Sequence, residues 1–372
     1  MENISEQEFD ALKLDKSDWI LTKFGDVAIQ QKQKVDRENT DLTRYVKGEH
    51  MGSEDLHLRS WGELKDEYLG PAFIRKFDEG DILYGSRRTY LRKVVIAPFS
   101  GITSNTTFVI KANEDKIDKR LLPFVMMSEG FTDNSIKNSK GSVNPYINWK
   151  DISKYEFLLP PKDQQAQLAE LLWAMDDVIE SEKDILIKIN TIKNSLFKKF
   201  IKQGENWRKY KIGDLLNFNY GSALKESNRI EGVYSVVTSS GIQGTHNEFL
   251  TNGPGIVVGR KGNVGQVTWV QNSFWTTDTA YFVEVKPDYK HIPFKFFYYL
   301  LTAANLKKHS IATAVPGLNR DDALMTKVYL PGNLELNSYL TKFNSLDEKL
   351  IDVESKINSS KSLQKSLINQ VF

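Results

Sequence analysis

Cysteine is absent from the 372-residue chain, which removes both a disulfide framework and a thiolate metal site. Histidine is scarce. The five residues (His50, His57, His246, His291, His309) show no ligand spacing such as H-x-x-x-H, so no metal site is expected. No apolar run approaches the roughly 18 residues that a membrane span needs. The opening "MENISEQEFD" has no signal-peptide character, so a cytoplasmic protein without membrane contact is expected. A dominant charge is missing too: 50 Lys and Arg face 48 Asp and Glu, a net charge of +2. Any surface facing a nucleic acid must therefore be a local concentration of basic residues.

Landmarks recur in order along the chain. Trp19 with Gly25-Asp26 returns as Trp207 with Gly213-Asp214, and "GDILYGSR" at 80–87 as "GPGIVVGR" at 253–260. "SNTTFVIK" at 104–111 returns as "DTAYFVEV" at 278–285, and "YEFLLPP" at 155–161 as "KVYLPG" at 327–332. The order indicates a duplicated plan. From Asp163 to Gln203 glycine and proline are absent, and apolar residues fall at Leu168, Leu171, Met175, Val178, Ile185, Ile189, Ile192 and Leu196, with Glu182 the one polar member. Those steps of three and four predict a heptad seam. The tail from Glu335 repeats the pattern at Phe343, Leu346, Leu350, Val353, Ile357, Leu363, Leu367 and Val371. Each helix would reach roughly 55–60 Å, entered after Pro160-Pro161 and after Pro331.

Charge predicts how the helices pair. Acids fill the first half of each (Asp163 to Glu182; Glu335 to Glu354) and lysines the second (Lys183 to Lys202; Lys356 to Lys365). Packed antiparallel, acid meets base; packed parallel, acid meets acid. The expected fold is α+β. Two β-rich domains related by a pseudo-two-fold, 1–160 and 204–333, are joined by helices at 161–203 and 334–372 in an antiparallel coiled coil formed within one chain.

"VVGRKGNVGQVTWV" puts three glycines, Arg260 and Lys261 directly after an apolar run. A phosphate loop would need G-x-x-x-x-G-K-[ST], and a dinucleotide fingerprint would need to enter a helix. Here a second β-branched run follows at once, so a glycine-rich hairpin displaying Arg260, Lys261 and Asn263 is predicted. Its counterpart "YGSRRTYLRKVVIA" displays Arg87, Arg88, Arg92 and Lys93, with Tyr84 and Tyr90 between them.

Three catalytic look-alikes fail. "NPYI" at 144–147 lacks the second proline of the amino-methyltransferase motif, and no glycine-rich AdoMet loop precedes it. Asp278, Glu284 and Lys286 mimic a nuclease triplet but lie along one strand about 20 Å long. No G-x-S-x-G elbow is present.

The duplicated layout, and above all "LLPPKDQQAQLAELLWAMDDVIESEKDILIKINTIKNSLFKKFI", resembles the specificity subunit of type I restriction–modification enzymes. There a proline-rich entry, an E-Q pair and spaced leucines open the helix after each target recognition domain. "GDILYGSRRTYLRKVVIAPFSGITS" and "GIVVGRKGNVGQVTW…TTDTAYFV" resemble two types of recognition domain. The second helix departs from the pattern, since "YLPGNLELNSYL" lacks the second proline and the E-Q pair. The resemblance implies a non-catalytic reader without a cofactor of its own. Each domain would read one half of a split, asymmetric target in double-stranded DNA, and the helices would set the unread spacing. Two adenine-methyltransferase (modification) subunits and ATP-dependent restriction subunits would dock on this scaffold.

On that basis the expected DNA contacts in the first half are Arg87, Arg88, Tyr90, Lys93, Ser104, Asn105, Thr106, Lys137, Lys140 and Ser142. In the second half they are Ser222, Lys225, Arg260, Lys261, Asn263, Thr277 and Thr279. Arg, Lys and Asn have base-pairing geometries, while Ser, Thr and Lys more often fix phosphates. Two rival classes make different predictions. A self-contained DNA-modifying or carbohydrate-active enzyme fragment would act alone, and a coiled-coil adaptor would show no sequence-selective DNA binding even with partners.

Overall fold

The computed structural model describes residues 14–36, 39–202, 207–311 and 317–372. The residue 203/204 boundary expected between the first helix and the second domain lies outside them. The chain divides into two compact units, Met1–Lys183 with Ser355–Phe372, and Asp184–Glu354.

The first unit carries β1 (Ile20–Lys23), α1 (Phe24–Val27), β2 (Ala28–Gln31), β3 (Arg44–Val46), β4 (Gly62–Glu63), β5 (Phe73–Phe77), β6 (Ile82–Gly85), β7 (Val94–Ile96), β8 (Gly101–Ser104) and β9 (Thr107–Ala112). It continues with α2 (Leu122–Met127), α3 (Glu129–Lys137), α4 (Trp149–Ile152), β10 (Glu156–Leu159) and the long α5 (Lys162–Lys202), whose second half belongs to the other unit. One sheet has the order β2-β9-β6-β7 and a second β4-β3-β8-β5, with β3 and β8 parallel. Successive strand residues point to opposite faces. In β6, Ile82 and Tyr84 enter the core beneath the helices, while Leu83 joins Val46, Phe77, Val95 and Val109 between the sheets. The first sheet is covered on both faces, which is why its strands read as unbroken apolar runs.

The second unit repeats this topology. It contains β11 (Arg208–Lys211), α6 (Ile212–Leu215), β12 (Leu216–Tyr220), β13 (Tyr234–Thr238), β14 (Gly241–His246), β15 (Gly255–Gly259), β16 (Val267–Val270), β17 (Phe274–Thr276) and β18 (Ala280–Val285). Then come α7 (Phe294–Ala303), β19 (Ser310–Ile311), β20 (Gly317–Leu318), α8 (Arg320–Leu324), β21 (Lys327–Leu330) and α9 (Asn333–Val371), whose last part belongs to the first unit. The order β12-β18-β15-β16 matches β2-β9-β6-β7, and β14-β13-β17 matches β4-β3-β8, including the parallel β13–β17 pair; among the described residues no strand of this sheet corresponds to β5. The recurring tryptophans serve one purpose: Trp19 Nε1 donates to Gln164 Oε1 (2.9 Å) and Trp207 Nε1 to Glu335 Oε2 (2.7 Å), pinning the start of each long helix. Gln165 deepens the first entry. It is buried, donates to the Pro160 carbonyl (2.9 Å) and accepts from the Asp118 amide (2.7 Å).

Within each unit the α5 and α9 segments run antiparallel. In the first, Gln364 donates to the Leu172 carbonyl and Ser360 to Glu182; in the second, Lys193 pairs with Asp347 (2.6 Å) and Phe200 packs on Tyr339. On α9, Leu346 and Leu350 are half-buried and Val353, Ile357 and Leu367 buried. On α5 the structure departs from the heptad reading. Leu168 and Ile189 are buried and Met175 and Leu196 half-buried, but Leu171, Val178, Ile185 and Ile192 are 41–56% exposed. Leu172, Asp176 and Ile179 line the buried stripe instead, followed by half-buried Leu186 and Lys193 and buried Phe200. That stripe keeps the seven-residue spacing (172, 179, 186, 193, 200) but sits one position after the expected row at Leu171, Val178, Ile185 and Ile192, because α5 packs on its own globules as well as on α9. Phe124 against Trp173 and Phe200 against Phe296 show those globule contacts.

The expected match of acidic and basic halves is made directly at Lys193–Asp347. Elsewhere Glu182 accepts from Ser360 of α9, while two other acids of α5 face its own domain: Asp176 meets His57 Nε2 (2.6 Å), and Glu180 meets Arg59 (2.7 Å).

Candidate nucleic-acid interface

In the first unit β6 and β7 pair as a hairpin, and their connection holds a single 3-10 turn, Thr89–Leu91. Arg88 and Arg92 flank that turn in the left-handed region (φ 50°), a conformation that disfavours side-chain-bearing residues. Each is held by bonds. The Arg88 amide donates to the Pro145 carbonyl (2.7 Å); the Arg92 guanidinium pairs with Glu54 (2.8 Å) and donates to the Met127 carbonyl (2.6 Å). Arg92 is thus a strut rather than a displayed cation. Tyr84 is buried in the core, not displayed, and burial pushes its hydroxyl up to about 12. Lys93 Nζ donates to the Gly48 carbonyl, which leaves Arg87, Arg88 and Tyr90 as the exposed groups of the turn.

The loop after α3 closes against this turn. Arg87 bridges to Tyr146, Lys140 and Tyr146 exchange backbone hydrogen bonds (2.8 and 2.9 Å), and the Thr89 and Ser139 hydroxyls meet at 3.1 Å. Arg87, Arg88, Lys140 and exposed Ser142 therefore share one edge, with exposed Val143 and Tyr146 beside them. Lys140 also reaches Asp151 (3.5 Å). Lys137 is exposed in the last turn of α3. Beneath the turn the Ser104 and Thr106 hydroxyls bond each other (2.6 Å), while Asn105 is exposed.

The second unit builds the same frame from different residues. The Thr277 and Thr279 hydroxyls bond at 2.8 Å, and Thr277 is buried, so this pair supports the turn from below. The Arg260 amide donates to the Thr279 carbonyl as the Ser86 amide does to Thr106, and Lys261 bridges to Gly317 as Arg87 does to Tyr146. Lys261 is therefore the equivalent of Arg87, and Arg260 that of Ser86. The sequence match of "GDILYGSR" with "GPGIVVGR" slips by one residue, enough to exchange the faces of a strand.

Arg260 is committed within the fold. Its guanidinium lies over the Tyr220 ring (4.9 Å) and donates to the Asp278 carbonyl (3.0 Å). Lys261 is exposed and sits 3.7 Å from Asp278. Asn263 is exposed and donates to Ser240 Oγ (3.0 Å). Ser222 and Lys225 are exposed; the Ser222 carbonyl accepts from Trp275 Nε1 (3.0 Å). Sequence reasoning missed Tyr220, stacked between Arg260 and Arg320, and the β13–β14 turn that touches Asn263. The glycines of "SSGIQGTH" were the available signal for that turn.

Comparison with known proteins places this architecture. The family model for the type I restriction modification DNA specificity domain matches twice, at 16–191 and 204–360. The specificity subunit of the Escherichia coli type I restriction enzyme EcoDI is 28% identical over 231 residues, 58% of this chain and 49% of that one. The MjaVIII specificity subunit of Methanocaldococcus jannaschii is 24% identical over 256 residues, 64% and 57% of the two chains. The matched stretch thus spans about half the length of these relatives. Among solved structures, the S subunit of a type I restriction-modification system from M. genitalium superposes with a TM-score of 0.64 at 16% identity, covering 97% of this chain and 98% of that one. A structure reported on complex assembly and conformational transition of the type I R-M system gives 0.54 at 13%, covering 95% and 97%. At such identities the structural likeness speaks for the fold alone. With two copies of the domain covering most of its length, the chain belongs to the type I restriction modification DNA specificity family.

Proposed function

We propose that this chain is the non-catalytic DNA-recognition subunit of a type I restriction–modification system. Residues 1–160 and 204–333 each read one half of a split, asymmetric target, and the helices at 161–203 and 334–372 set the distance between the halves. Two adenine-methyltransferase subunits dock on this scaffold, and ATP-dependent restriction subunits join them. The observation that carries the reading is the duplicated edge: on topologically equivalent sheets, Arg87 and Lys261 occupy the same position with different neighbours. One frame with two sets of exposed groups suits two different short sequences. Basic groups gather at the turns while the chain as a whole stays near neutrality, and docked partners supply further phosphate-neutralising surface.

The test is to produce the chain with its methyltransferase subunits and sequence the methylated adenines. One bipartite target with a fixed unread gap is expected, with no AdoMet turnover by the chain alone. Methylation of the same target without this chain, or turnover by the chain alone, would overturn the proposal.

A further inference from the structure

Beside the β15–β16 turn of the second unit lies an open polar cleft of about 640 Å³, lined by Glu226, Arg229, Thr238, Ser240, Gln243 and Gly244. The two-residue turn Ser239–Ser240 and strand β14 form one wall. Gly241 (φ 97°) and Gly244 (φ 87°) adopt backbone conformations open mainly to glycine, and a Cβ on Gly244 would lie 3.5 Å from an Arg229 guanidinium nitrogen. Arg229 donates to the Gln243 carbonyl, and its Nε is buried without a partner. Gln243 is exposed, and among the described residues its side-chain amide has no partner. Asn263 joins this cleft to the basic turn through its bond to Ser240.

The mixture of groups is informative. A phosphate site gathers cations, and a carboxylate such as Glu226 would repel the phosphate. Base edges call for both signs and both hydrogen-bonding roles. A primary amide pairs with adenine N6 and N7, a carboxylate accepts from cytosine N4, and a guanidinium donates to guanine O6 and N7. We infer that this cleft reads base edges in the half-target presented to the second unit, with Gln243 as its principal specificity-determining residue. The inference rests on the DNA-reading function proposed above.

The equivalent place in the first unit is built differently. There the connection from β3 to β4, residues 47–61, is long and folds back as a strut: Ser53 donates to the Leu91 carbonyl (2.7 Å), Glu54 holds Arg92, and His57 and Arg59 hold Asp176 and Glu180 of α5. The two halves are therefore read by non-equivalent residues.

The test uses full-length Gln243→Ala and Gln243→Glu, each assembled with the methyltransferase subunits, against DNA pools randomised through both half-targets. Gln243→Ala should cost roughly five- to 150-fold in preference at one or two adjacent base pairs of one half only. Gln243→Glu should move the preference there toward cytosine, because a carboxylate only accepts. Since Gln243 is exposed, both variants should melt with the wild type. An unchanged profile, or an equal loss over all sequences, overturns the assignment of the cleft. A wild-type complex that selects no bipartite sequence overturns the function proposed above and this inference with it.

Discussion

Asp347 is the polar keystone between α5 and α9 in the second unit, and its removal should be costly. It accepts from Lys193 (2.6 Å) and the Tyr299 hydroxyl (2.7 Å), and Lys295 lies 3.7 Å away. Lys193 and Asp347 are only 18% and 19% exposed. Burial, reinforced by Asp347, pushes the Tyr299 hydroxyl far up, so it remains a donor. Asp347→Ala leaves Lys193 nearly buried and unpaired, while Tyr299 keeps its bond to Asn344 (2.9 Å) and Lys295 its place over the Trp269 ring (4.1 Å). The net loss is therefore that of one broken, mostly buried pair, about 3 kcal/mol. Pairing Asp347→Leu with Lys193→Met should recover most of it, because only Lys295, held over the Trp269 ring, then lacks its carboxylate. Urea unfolding supplies the free energies, and hydrogen exchange locates them: protection should fall in α7 and the adjoining α5 and α9 segments before the first unit responds. A loss under about 0.5 kcal/mol, or a double variant as costly as the sum of its singles, would refute the reasoning.

Seven residues inserted after both Lys183 and Glu354, where each helix passes from one unit to the other, add about 10 Å of helix and turn it about 20° short of two full turns. The unread spacer, mapped from methylated adenines, should lengthen by up to about three base pairs with both half-targets unchanged; an active variant with the old spacing would count against the ruler. His57 predicts a pH effect. Its hydrogen bond to Asp176 raises the imidazole above its ordinary value despite partial burial, so the pair stabilises the fold fully below about pH 6.5 and less as pH rises through the raised value. Because His57 is 37% exposed, the effect should stay within about 1 kcal/mol; thermal melts from pH 5 to 9 should lose this component in His57→Asn, and an identical profile would exclude the pair as its source.

Much of this architecture was legible in the sequence because periodicity and punctuation are local signals. The long helices announced themselves by lacking glycine and proline, and the β15–β16 hairpin by its glycines. What escaped were facts set by tertiary packing. The stripe of α5 moved to Leu172 and Ile179 because the helix faces its own domains as well as α9. Arg92 and Arg260 look like displayed cations in the sequence, yet one braces a left-handed turn and the other stacks on Tyr220. The slip that matched Arg87 with Arg260 became visible only through the strand registers. The β13–β14 cleft joins residues from 226 to 244 and carries no motif.

The central claim is that two independent readers share one chain, and paired substitutions test it most directly. Arg88→Ala and Lys261→Ala, singly and together, would be profiled for methylation across every single-base variant of both half-targets. The account predicts that each single substitution alters one half only, by roughly 1–3 kcal/mol where the group meets a base and with a uniform fall and reduced salt dependence where it meets a phosphate. The double variant should show the sum of the two. A single substitution that degrades both halves equally would contradict it.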